Sequence, residues 1–181
     1  MWRNRSSGYG WFAIGIHWLM ALLILGLFAL GLWMVELTYY SPWYKTAPFW
    51  HKGLGVLMFV LLLLRLAVRV TSTSPKALGT ALEQMAARFT HLLLYLLPLA
   101  LVFSGYLIST ADGRPLDVFG LVSVPALMTF EGQEDIAGDV HALLAWSLIG
   151  LVALHALAAL KHHLIDKDTT LLRILRPQKE A

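Results

Sequence analysis

Two histidines sit where the chain offers little else that is polar. The run "DVHALLAWSLIGLVALHALAALKHH" covers residues 139–163 and holds His141 and His155, fourteen residues apart. On an α-helix fourteen steps return almost to the starting face and rise roughly 21 Å. One stripe of one helix therefore carries two imidazoles at two heights. An imidazole ligates metals and moves protons near neutral pH. Five more histidines are available, His17, His51, His91, His162 and His163. There is no cysteine, which excludes thiolate metal sites, cysteine-held iron–sulfur clusters and covalent haem attachment. Any metal centre here must use nitrogen or oxygen ligands.

The elements that must position these rings are apolar. The chain has 181 residues, 58% hydrophobic and 14% charged, with a net charge of +3. A soluble domain would carry about 25% charged residues, so the composition points to a membrane. Four apolar runs appear, at 11–33, 49–68, 89–108 and 140–160. Each has the roughly 20 residues that cross a bilayer core, and in lipid each must be a helix because every backbone group needs an internal partner. The first run is too long for a signal-peptide core and lacks a small-x-small cleavage site, so it reads as a retained helix. Pro98 falls inside the third run and is expected to kink it. The expected fold is an all-α membrane protein, a four-helix bundle forming a single domain.

Basic residues set the orientation. Arg3 and Arg5 precede the first helix, Arg69, Lys76 and Arg88 lie between the second and third, and Lys161, Lys167, Arg173, Arg176 and Lys179 follow the fourth. The positive-inside rule places both termini in the cytoplasm. These charges flank apolar runs, so they report topology and not nucleic-acid binding. The connection 109–139 then lies outside, and its "PLDVFGLVSVPALM" is apolar enough to lie along the interface. The seven tryptophans suit interfacial anchoring.

Antiparallel geometry sorts the histidines by depth. His17, near the inner end of the first helix, is level with His155. His51, near the outer end of the second, is level with His141. Two imidazoles at each of two depths, with no cysteine and no carboxylate in the spans, suit bis-histidine b-type haem held without a covalent bond. A bare zinc or copper ion takes three or four protein ligands, which the inner pair reaches only if His91 joins it. Arg65 lies fourteen residues after His51, and it either faces the bundle as a partner for a haem propionate or snorkels to the headgroups. Gly31, fourteen after His17, either leaves room for a porphyrin or allows close helix packing. His91 reads as a supporting group, a contact for a propionate or a quinone. His162 and His163 fall at the membrane surface, where His162 shares the face of His155.

At these residues the chain resembles the bacterial cytochrome b561 family of four-helix, di-haem membrane proteins. The resemblance runs through "IHWLMALLI" around His17, "HKGLGVLMFVLLLLRLAVR" from His51, "HLLLYLLPLALVFSGYLIS" from His91 and "HALLAWSLIGLVALHALAALKHHLIDKDTTLLRIL" from His141. It implies two haem b groups with axial ligands on His17, His51, His141 and His155, in a bacterial inner membrane. It implies electron transfer between a periplasmic donor and membrane quinone, ubiquinone above all. The activity best defined for the family is superoxide:quinone oxidoreduction. A collector of an anion benefits from a positive outer surface, yet residues 109–139 hold six acidic residues and one arginine. Three rivals remain: a haem-bearing anchor subunit of a hydrogenase or formate dehydrogenase, a histidine-based metal transporter, and a structural membrane protein.

Overall fold

The structure is a computed structural model that describes residue 2 and residues 4–177; Arg3 and Lys179 lie outside the described residues. Four long helices follow in chain order, α1 (Trp11–Val35), α2 (Thr46–Thr71), α3 (Ala81–Ser109) and α4 (Gln133–Leu164). Between α3 and α4 stands a small antiparallel hairpin, β1 (Leu116–Val118) with β2 (Val122–Val124), and a short α5 (Thr170–Leu175) ends the described chain. All four long helices are apolar and long enough to cross a membrane. Their outward surface is apolar too, with Leu22 66%, Leu143 69% and Leu154 65% exposed. In water such a surface would drive aggregation, so its solvent is lipid.

The helices extend beyond the apolar runs, because polar residues continue them into the headgroup region. α3 begins eight residues earlier than its apolar run. Thr80 accepts a hydrogen bond from the Glu83 amide (3.4 Å) and donates its own amide to Glu83 Oε2 (2.7 Å). This reciprocal cap satisfies backbone donors that a helix start leaves free. α4 begins at Gln133, and Glu134 and Asp135 in its first turn complement the positive end of the helix dipole. α3 runs on through Pro98 without ending.

α3 packs most closely on α4 and α1 on α2. Ile16 and Met20 of α1 meet Met58 and Leu62 of α2 in a small buried cluster, with Tyr95 of α3 against it. One end of the bundle gathers the two terminal segments. Trp18 Nε1 donates to the Ile174 carbonyl (2.9 Å), Arg173 Nη1 to the Lys76 carbonyl (2.7 Å), and the Lys76 amide to the Ser6 carbonyl (3.1 Å).

The hairpin covers the other end. The segment expected to lie along the interface leaves Leu121, Val122 and Leu127 exposed and turns one ring inward. Phe119 and Gly120 both have positive φ, 56° and 71°, as a tight turn joining right-twisted strands requires. Asp117 Oδ1 accepts from the Gly120 amide at 2.7 Å and fixes the turn. The Phe119 ring then fills the space left by Gly53, where a Cβ would stand 2.3 Å from Phe119 Cε1. The ring also meets Phe49 and Trp50, with centres 5.7 and 5.6 Å away. Gly53→Ala is therefore expected to expel Phe119 and free the hairpin, at the overpacking cost of about 1–3 kcal/mol. Limited proteolysis between residues 112 and 131 should quicken while helix content holds. Unchanged cleavage would show that the notch does not anchor the hairpin.

Candidate functional site

Four imidazoles meet as two pairs inside the bundle. At the hairpin end His51 of α2 and His141 of α4 have ring centres 6.2 Å apart. At the terminal end His17 of α1 and His155 of α4 have centres 6.3 Å apart. The pairs are alike in their tilt as well, with interplanar angles of 67° and 66°. α4 contributes one ring to each pair because His141 and His155 share its stripe.

The spacing has a chemical meaning. Two imidazoles that grip one metal from opposite sides, each nitrogen about 2 Å from the metal and about 1.1 Å from its own ring centre, have centres about 6.2 Å apart. Both pairs stand at this distance. His91 of α3 joins the inner group but lies only 5.4 Å from His155, too close to be its opposite partner on one metal. The structure thus gathers three imidazoles at the inner level and two at the outer. Arg65 is half-buried at the inner level, and its charge acts on His17, His91 and His155.

Helix-borne small residues make room for the outer pair. A Cβ on Gly31 would stand 3.2 Å from His51 Cε1, and one on Gly105 would stand 3.3 Å from His141 Cε1. Gly31 therefore clears space for an imidazole of the neighbouring helix, which neither sequence reading of it had named. His51 Nδ1 is buried with no hydrogen-bond partner among the described residues. His141 Nδ1 lies 2.9 Å from Ser104 Oγ. A pair of half-buried imidazoles, each backed by a glycine and one with an unpartnered nitrogen among the described residues, fits a ring-ligated group better than a packed core. The donor set of nitrogen alone, two per site, fits haem iron.

Ser104, Gly105 and Phe119 escaped sequence reasoning. A serine–glycine step in a membrane helix signals only close packing, and nothing local marks which helix it meets. The charged network at the terminal end escaped it as well. Lys161 bridges Glu83 of α3 and Asp166, the latter at 2.7 Å. His162, expected at the surface, is tucked in, with Nδ1 2.8 Å from Asp168 and 3.1 Å from Asp166. Asp168 is held below the usual carboxylate range: burial pushes it up, but hydrogen bonds from Thr170 and His162 outweigh that. Glu83, His162 and Asp166 are near enough together to hold a metal ion. The Lys161 ammonium stands between the two carboxylates, and a cation would have to displace it.

Known proteins resemble this chain along almost its whole length. The family model for prokaryotic cytochrome b561 matches residues 8–177. Cytochrome b561 homolog 2 of Escherichia coli strain K12 is 49% identical over 175 residues, covering 95% of this chain and 93% of the relative. A protein of Yersinia pestis named probable superoxide oxidase CybB is 33% identical over 180 residues, 96% of this chain and 98% of its own. Cytochrome b562 of Cereibacter sphaeroides is 28% identical over 180 residues, covering 97% and 99%.

Proposed function

Because this chain belongs to the prokaryotic cytochrome b561 family, we propose that it is a di-haem electron carrier between a donor at the hairpin end and quinone in the bilayer. Family membership makes it a membrane cytochrome that binds b-type haem. The number of haems, their ligands, the partners and the orientation are the proposal. The observation that carries it is the pair of ring separations, 6.2 and 6.3 Å, stacked along one face of α4.

In this reading His51 and His141 would hold the outer haem, and His17 and His155 the inner one. Each haem would supply a one-electron iron couple. The fourteen-residue interval on α4 sets the vertical spacing of the sites. Arg65 offers its charge to a propionate of the inner group. That is a better partner for a half-buried guanidinium than hydrocarbon. His91, 5.4 Å from His155, lines the same site as a supporting group for a propionate or a quinone. The apolar outer surface suits a bilayer, in this reading the bacterial inner membrane with its dissolved ubiquinone.

The basic residues of the terminal end support a cytoplasmic location for it under the positive-inside rule. The hairpin end is then periplasmic, and electrons pass inward. Moving a full negative charge toward a negative interior costs about 2.3 kcal/mol per 100 mV, so the donor must be strongly reducing. Superoxide meets that need, and the Yersinia relative named for it spans nearly the same length. The local charge of this chain is less welcoming. Glu131, Glu134, Asp135 and Asp139 are all exposed beside the hairpin, and Arg114 is already paired with Asp112 at 3.0 Å.

The test uses purified protein, a steady superoxide source and a water-soluble ubiquinone analogue. Quinone reduction above the uncatalysed rate, abolished by superoxide dismutase, is expected. A di-haem preparation that gives no acceleration would assign the donor side to another periplasmic reductant.

A further inference from the structure

α3 supplies none of the four paired imidazoles, yet it touches one of them twice. Ser104 is buried, 4% exposed. Its hydroxyl donates to the Leu101 carbonyl at 3.1 Å, and its oxygen lies 2.9 Å from His141 Nδ1. A hydroxyl has one hydrogen to give. With that hydrogen on Leu101, Ser104 Oγ faces His141 as an acceptor. An acceptor facing Nδ1 at this distance calls for a proton on it. The other nitrogen, Nε2, is left with its lone pair. The next residue, Gly105, would bring a Cβ to 3.3 Å from Cε1 and 3.6 Å from Nδ1 of the same ring.

We infer that the Ser104–Gly105 step of α3 is the seat of His141: Gly105 admits the ring, and Ser104 fixes the Nδ1–H tautomer so that Nε2 is presented to the outer metal site. The inference rests on the di-haem reading and adds a positioning residue to it. A metal-bound imidazole that donates its second N–H gains basicity and a fixed orientation. The outer site is built asymmetrically, since His51 Nδ1 has no such partner among the described residues. Extra basicity on His141 favours the ferric state, so Ser104 holds the outer haem at a lower potential than its unpartnered counterpart would have.

Ser104→Ala, Ser104→Thr and Gly105→Ala are made in the full chain, and each haem is followed by redox titration and low-spin electron paramagnetic resonance. The outer haem is the one lost in His51→Ala. Ser104→Ala is expected to raise the midpoint potential of that haem and alter its g-values. It should also weaken retention of that haem about 10–100-fold, read as faster transfer to apomyoglobin. The inner haem should not change. Ser104→Thr keeps the hydroxyl and should restore the potential, and Gly105→Ala should disturb the same haem alone. An outer haem with unchanged potential, spectrum and retention in Ser104→Ala overturns the seat and leaves the di-haem reading standing. A shift confined to the inner haem also overturns it. Should the alanine variant fail to fold, a threonine variant with a shifted outer potential overturns the inference equally. A wild-type protein with no outer haem overturns both.

Discussion

His51→Ala and His155→Ala are expected to yield folded protein that keeps one b-type haem each, and not the same one. The two replacements act on different levels of the bundle. His51 pairs with His141, and His155 faces His17 at the matching separation, and α4 separates the levels by roughly 21 Å of helix rise. Removing one imidazole leaves a single axial ligand and an apolar hole, which weakens the hold on that haem. The untouched pair keeps both of its rings. The reduced-minus-oxidised spectrum should fall to about half its amplitude in each variant, because bis-histidine sites of this kind contribute alike. Redox titration should show a different surviving potential in the two. His91→Ala is the control: its ring stands 5.4 Å from His155, too close to be its opposite partner on one metal, so both haems should remain with the inner one perturbed. Loss of the same haem in His51→Ala and His155→Ala would overturn the pairing. A wild-type spectrum without haem would sink the whole reading.

Gly31→Leu should strip the outer haem with almost no change at the inner one. The glycine Cα faces the His51 ring, and even a single methyl would stand 3.2 Å from Cε1. A leucine side chain must push the imidazole off its axis or part α1 from α2. Overpacking of this kind costs about 1–3 kcal/mol. Borne at the ligand, it corresponds to haem retention weakened about 5- to 150-fold. Gly26→Leu supplies the comparison on the same helix. Nothing lies within 4 Å of a Cβ there, so that side chain enters lipid and both haems should stay. Equal haem loss in the two leucine variants would mean that α1 fails as a membrane helix, and that the space at Gly31 plays no special part.

Much of the fold was legible residue by residue. The four spans followed from run length and the absence of charge, since hydrocarbon leaves the backbone no alternative to helix. The ends were misjudged outward, at Ala81 and Gln133, because a helix does not stop where hydropathy stops. It stops where backbone donors find other partners, as Thr80 and Glu83 provide. The apolar residues of the hairpin segment suit an interface but carry no sign of which one turns inward. Only the notch at Gly53, far away in sequence, tells Phe119 to point inward. Ser104 was invisible for a related reason. A buried hydroxyl in a membrane helix bonds its own backbone by default, and the second bond, to His141, depends on a helix more than thirty residues later.

The division follows the range of the forces. The amino-acid sequence by itself determined the number of spans, the absence of any thiolate chemistry and the two heights at which imidazoles occur. The rise and turn of a helix are local properties of the backbone. The tertiary structure alone decided how far apart the rings of each level stand, that His91 crowds the inner pair, and that Gly31 and Gly105 make way for the outer one. Rotation of one helix against its neighbour is set by the packing of side chains remote in the chain, and no local period encodes it.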